Sequence, residues 1–123
     1  MIKVIIFDLG GVYFTDGTSV ALKKIKKILK ADEKRIDEIF RESPGKEGMD
    51  YRLGKLKQNE FWKIAEKDLN LNNPVLKKIR KIWITSYRVK KPMEKLVADL
   101  RKKYIVVAFS MTIPERVNFF NKK

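Results

Sequence analysis

Apolar residues along this chain follow two rhythms. Lys3-Val4-Ile5-Ile6-Phe7 and Tyr104-Ile105-Val106-Val107-Ala108-Phe109 are apolar, β-branched runs, the pattern of strands buried on both faces, which is most often that of a parallel sheet. Between them the period lengthens to that of a helix. Val20, Leu22, Ile25, Ile28 and Leu29 line one face of a predicted helix starting at Thr18, and Lys23, Lys24, Lys26, Lys27 and Lys30 fill the remainder. Glu33 to Arg41 continues helically through Ile36, Ile39 and Phe40 until Ser43-Pro44-Gly45 breaks it. Gly48 and Gly54 bracket a segment expected to be irregular, containing Met49, Tyr51 and Leu53. Phe61, Ala65 and Leu69, four apart, mark a helix from Lys57 to Leu69. Asn73-Pro74 reads as an N-cap followed by proline at the first helical position, opening a helix through Val75, Leu76, Ile79, Ile82 and Trp83. Lys91-Pro92 opens another, with Leu96, Val97 and Leu100 expected to face inward, and Pro114 starts a short last one through Val117 and Phe120.

The order is therefore strand, several helices, strand, helix. Two buried-type strands separated by a helical block cannot form a hairpin, so a parallel crossover is expected. The block between them is too long to be one crossover helix. Residues 15–88 are read as a helical insertion, Met93 to Lys102 as the crossover proper, and residues 1–14 with 89–123 as a partial Rossmann-like core. The expected fold class is α/β, with parallel strands and an inserted helical cap.

Composition narrows the chemistry more than the fold. The chain has 123 residues, enough for one domain with a core. It contains neither Cys nor His, which excludes disulfides, thiolate nucleophiles, Cys/His zinc sites and a Ser-His-Asp triad. Any catalysis must use carboxylates, lysines, hydroxyls or a hard metal ion. No apolar run reaches the roughly 18 residues of a membrane span, and the first strand meets Asp8 too early to serve as a signal-peptide core. A cytoplasmic protein without membrane partners is expected. The 29 Lys and Arg against 15 Asp and Glu give a formal charge of +14, enough to attract nucleic acid non-specifically. No dedicated nucleic-acid motif accompanies the basic clusters at Lys23–Lys27, Lys77–Lys81 and Arg101–Lys103, and such runs are usually solvated helix faces.

Asp8 stands at the carboxyl end of the first strand, where ligands bind in open α/β sheets. Gly10 and Gly11 after it leave backbone amides free to face an anion. Ser110 occupies the matching end of the second strand, and the helix opened by Pro114 would bring its positive end nearby. A carboxylate, a hydroxyl and free amides around one anion describe a phosphate site. Phe61, Trp62 and Trp83 are read as packing residues. Tyr13 and Phe14 are candidates for the cleft wall or for packing, and Lys90 and Lys91 stand where a cation can reach an anionic substrate.

Ile5-Ile6-Phe7-Asp8-Leu9-Gly10-Gly11-Val12 resembles the first motif of the haloacid dehalogenase (HAD) superfamily, in the form found in small phosphatases with a helical cap. Tyr104 to Thr112 is similar to the second motif, a hydrophobic strand ending in Ser or Thr. Asp50-Tyr51-Arg52-Leu53-Gly54-Lys55-Leu56 and Glu60-Phe61-Trp62 resemble the cap of glucose-1-phosphate phosphatases. The likeness implies that Asp8 is the nucleophile of a phosphatase acting on a small phosphate monoester and forming an aspartyl-phosphate. It implies Mg²⁺ bound by the Asp8 carboxylate and the Gly10 carbonyl, and a phosphoryl group held by Gly10, Gly11, Ser110 and the Met111 amide. Gly10 stands where the usual phosphatase has a second Asp as general acid and base. The third and fourth motifs of the family, which carry a Lys and an acidic pair for the metal, have no counterpart after Ser110. The resemblance therefore reads as a core truncated after the second motif, its sheet completed by a second polypeptide or another copy of the chain. Three other readings stand beside the phosphatase: an inactive remnant or half-protein serving as a binding or assembly subunit, a 2-haloacid dehalogenase, and a basic nucleic-acid-binding protein.

Overall fold

A computed structural model describes residues 1–122. Strand β1 (Val4–Phe7) is followed by helices α1 (Gly17–Ile28), α2 (Glu33–Phe40), α3 (Glu47–Arg52), α4 (Gln58–Asp68), α5 (Asn73–Thr85) and α6 (Lys91–Leu100), then by strand β2 (Ile105–Ala108) and helix α7 (Pro114–Asn121). The strands pair in parallel, Val4 opposite Ile105 and Phe7 opposite Ala108, as a two-stranded sheet. The architecture is mixed α/β, as the two rhythms of the sequence require. None of the described helices is long and apolar enough to cross a membrane.

Helix starts follow local chemistry. Asp16 caps α1, its carboxylate accepting from the Ser19 amide at 3.2 Å and the Ser19 hydroxyl at 2.8 Å. Asp32 caps α2 in the same manner through the Lys34 amide. Helix α5 begins one residue earlier than the sequence suggests. Asn72, not Asn73, is the cap, its side chain accepting from the Val75 amide at 3.1 Å, and Pro74 takes the second helical position. Either asparagine can cap chemically, and the spacing to a free amide decides.

The segment bracketed by Gly48 and Gly54 is not irregular but forms α3. Gly48 permits this, because a side chain there would meet the carbonyl oxygens of Arg41 at 2.2 Å and Ile39 at 2.6 Å. Without a Cβ, α3 presses directly on the end of α2, and Arg52 then caps that end. Its guanidinium donates to the carbonyls of Phe40 at 2.9 Å and Gly48 at 2.8 Å.

The core lies among the helices. Leu22, Ile25, Ile36, Ile39, Phe40, Phe61, Ile79 and Trp83 are essentially inaccessible, and Ile113, just before α7, joins them. Phe40, Tyr51, Phe61, Trp62 and Trp83 form a continuous aromatic cluster with neighbouring centroids 4.6 to 6.4 Å apart, mixing stacked and edge-on pairs. These rings are packing residues, as expected. Polar staples surround the core. Arg35 of α2 donates to Glu38, to Glu47 of α3 and to Asp68 at the end of α4. Those carboxylates, Glu47 first, hold its guanidinium charged well beyond the ordinary arginine range, although burial opposes them.

The sheet contradicts the reading of strands buried on both faces. Ile6 is 65% and Ile105 64% exposed, and Val4 and Val107 on the same face are also open. On the other face Ile5, Phe7 and Val106 are half-buried. Helix α6 is the element that packs on β2, and it buries no residue fully; Leu96 is itself exposed. The apolar runs were correctly read as strands, but two strands with one thin helix cannot enclose both of their faces.

Candidate active site

The parallel register places Asp8 and Phe109 side by side beyond the last paired residues, and the Phe109 amide donates to the Phe7 carbonyl at 2.8 Å. Asp8 and Ser110 therefore leave adjacent strand ends in the same direction. Both line a cleft of about 440 Å³, together with Gly10, Glu42, Tyr87, Met111, Thr112 and Arg116. Asp8 is exposed, with one carboxylate oxygen accepting from the Leu9 amide at 2.8 Å. A second recess of about 400 Å³ shares Gly10, Glu42 and Tyr87 with the first and adds Asp16, Thr18, Arg41 and Ser43.

The loop after Asp8 is a tight turn in which the Leu9 carbonyl accepts from the amides of Val12 at 3.1 Å and Phe14 at 2.9 Å. Gly11 has a φ of 80°, a conformation that favours glycine, and its carbonyl accepts from the Lys90 ammonium at 3.0 Å. Gly11 thus shapes the loop and is not among the cleft-lining residues. Lys90 holds that loop from outside, and Lys91 pairs with Glu94. Phe14 is buried and stacks on Phe120 at 4.4 Å. Tyr13 lies on the opposite side of the sheet, in a smaller groove with Val97 and Val106.

Three cleft residues carry no signal in the sequence motifs. Glu42 follows α2 and points its carboxylate toward Arg52, with Oε1 3.6 Å from Nε. The Tyr87 hydroxyl and that of Thr18 share a hydrogen bond of 2.7 Å. Arg116 is 2% exposed, and burial pushes its guanidinium down to about 10. The visible clue to Arg116 is position alone, two residues into a helix whose start follows Ser110. Beside it, Glu115 ties α7 to the helical block. It accepts from the Tyr51 hydroxyl at 2.6 Å, the Trp62 indole at 2.9 Å and the Arg80 guanidinium at 2.6 Å. Burial, reinforced by Glu115, raises the Tyr51 phenol well above its ordinary range.

Asp8 and Gly10 both line the cleft at the end of β1, and the oxygens that a carboxylate and a backbone carbonyl offer are hard donors of the kind that would suit Mg²⁺. Among the described residues no three acidic side chains converge on one point, and the carboxylates lining the cleft are those of Asp8 and Glu42.

A short parallel sheet with helices between its two strands, and a carboxylate and a hydroxyl at neighbouring strand ends, define the class: the chain has the fold of HAD-family enzymes. No protein-family model matches it, and no curated protein is similar enough in sequence to match. Among solved structures, the HAD-family enzyme BT-2542 of Bacteroides thetaiotaomicron, in complex with magnesium and inorganic phosphate, superposes with a TM-score of 0.77 at 22% identity over 100% of this chain. A predicted HAD-like hydrolase of Porphyromonas gingivalis superposes with a TM-score of 0.64 at 20% identity over 96% of the chain. This chain spans 60% of the length of the first and 55% of the second.

Proposed function

We propose that the chain is a HAD-type hydrolase acting as a Mg²⁺-dependent phosphatase on a small phosphate monoester. The observation that carries this reading is the meeting of Asp8 and Ser110 at neighbouring strand ends in one cleft. In the proposed reaction an Asp8 carboxylate oxygen attacks phosphorus, the P–O bond to the ester oxygen breaks and that oxygen takes a proton from water, and a water molecule later cleaves the aspartyl-phosphate, releasing inorganic phosphate and regenerating Asp8. Ser110 and the Met111 amide would hold the phosphoryl oxygens, with Gly10 allowing close approach of the backbone. Mg²⁺, held by Asp8 and the Gly10 carbonyl, would supply charge neutralisation of the phosphoryl group. The BT-2542 complex with magnesium and phosphate supports the choice of ligand and ion.

The test is Mg²⁺-dependent phosphate release from an aryl phosphate, comparing the chain with Asp8→Asn. The expected outcome is turnover that falls to background in the variant. Equal rates for the two proteins would overturn the reading, and chloride release from 2-chloropropanoate in place of phosphate would move the assignment to a dehalogenase.

The open sheet favours a second reading, a binding or assembly subunit. An apolar face of Val4, Ile6, Ile105 and Val107 is exposed, and among the described residues no three acidic side chains gather to hold a metal. The occupant we propose is further acidic polypeptide that adds strands to this sheet and carboxylates to the cleft. A second copy fits less well, since it would bring another +14 against the first. Sedimentation of the chain alone across a dilution series should give a monomer; a stable dimer at all concentrations would favour the copy instead.

A further inference from the structure

Two residues lining the cleft each hold a buried polar atom with no hydrogen-bond partner among the described residues. Arg116 donates from one terminal nitrogen to the Trp83 carbonyl at 3.0 Å, and its guanidinium lies over the rings of Trp83 at 5.0 Å and Tyr87 at 4.7 Å. Its Nε has no acceptor. The Thr112 hydroxyl is likewise shut from solvent and without a partner. Both residues line the cleft that holds Asp8 and Ser110. Leaving such a group unsatisfied costs about 1–3 kcal/mol, more when it is charged, so a fold that leaves two in one place calls for an explanation. The other orphaned atoms, Arg52 Nε and Trp83 Nε1, belong to residues outside the cleft lining.

Charge points the same way. Among the described residues Arg116 is the sole cation lining this cleft, facing the carboxylates Asp8 and Glu42. Its depressed pKa of about 10 reflects lost hydration, and it still leaves the group charged at neutral pH. A dehydrated guanidinium with a free N–H beside a free hydroxyl is a receptor for an oxyanion, because charge-assisted donors are strongest where water is excluded.

We propose that Arg116 Nε and the Thr112 hydroxyl form an oxyanion subsite of the cleft, receiving either the phosphoryl group that meets Asp8 or a second anionic group on the same substrate. The inference rests on the phosphatase reading and deepens it by naming what the substrate must present. Arg116 also has a structural part over Trp83, so the experiment must separate anchoring from recognition.

Inorganic phosphate is the first probe, with binding read by calorimetry and by the rise it causes in Tm. Thr112→Val replaces one hydroxyl with a methyl of similar shape and should weaken phosphate or phosphoglycolate about fivefold, the equivalent of one lost hydrogen bond. Arg116→Lys should weaken it more while keeping the charge, because a lysine lacks the fixed planar donor. The unliganded Tm reports the anchoring part; the ligand-induced increment reports recognition. If Arg116→Lys does not fold, Thr112→Val decides. Equal losses of kcat/KM for phenyl phosphate and phosphoglycolate place the reacting phosphoryl group in the subsite. A loss confined to phosphoglycolate places a second anion there. Binding that depends on these residues without any turnover leaves the subsite standing and removes the phosphatase. Failure of the parent chain to bind either probe, or affinities unchanged by both substitutions, overturns the proposal.

Discussion

The sheet is built from more apolar sequence than the helical block, yet the block is the better buried of the two. In the block, Phe40, Phe61 and Trp83 are shut from solvent by neighbours on every side, and charged residues close the gaps: Arg35 bridges three carboxylates, Arg52 caps α2, and Glu115 gathers three donors. In the sheet, Ile6 and Ile105 are more than half exposed although their sequence is the more hydrophobic. Burial is decided by how many elements surround a residue, not by its hydropathy. A helix can be enclosed by three others, whereas a strand needs partners at both edges and layers on both faces. The candidate cleft lies along the seam, with Asp8 and Ser110 from the sheet and Glu42, Tyr87 and Arg116 from the packed side.

Phe40→Ala breaks the contrast most directly. Removing a fully buried ring from the aromatic cluster should lower stability by about 3–5 kcal/mol, measured by urea denaturation followed through the fluorescence of Trp62 and Trp83. A loss below about 1 kcal/mol would mean that the block is loosely packed.

Acid should act next, and on the same region. The Arg35 hydrogen bonds hold the Glu47 carboxyl below its ordinary value of 4.5, with burial opposing. Asp37 is also lowered; burial is its largest single influence and opposes the shift, but Lys26 and Arg41 outweigh it together. A group with a depressed folded pKa contributes stability above its unfolded pKa and loses it as pH falls through the folded one. Stability should therefore be level near neutrality and decline from about pH 4.5 downward, and Glu47→Gln should flatten part of that slope. An identical slope in the variant would show that the Arg35 network adds nothing.

Ile105→Thr sharpens the comparison from the other side. At 64% exposure it should change the stability of the isolated chain by no more than about 0.5 kcal/mol, in the same denaturation assay. A loss of several kcal/mol would show that the sheet face is already covered in solution.

Much of this was readable beforehand, for physical reasons that differ by region. The strands, their parallel pairing and most helices follow from period and caps, which are local. The depth of the sheet's burial is not local, so Val4 and Val107 were misjudged by the same pattern that placed them in strands. Helix α3 was missed because Gly48 usually signals a break, whereas here it serves a close approach to Arg41 and Ile39. Asp8, Gly10 and Ser110 stand out by their place after apolar runs, whereas Met111 enters only through the resemblance to the HAD motifs. Glu42, Tyr87 and Arg116 come to the cleft from three separate segments, and nothing short of the packed structure joins them.

The pairing of β1 with β2 also has a history written into it. Val4 and Ile105 lie roughly a hundred residues apart in the chain, so closing that loop costs conformational entropy before any contact is gained, whereas the helices between them find partners nearby. At ribosomal speeds of about 5–20 residues per second, β1 waits roughly 5–20 s for β2 to be made. The first strand synthesised is among the last to acquire its neighbour, and during that interval its apolar side chains are guarded only by whatever meets them in the cell.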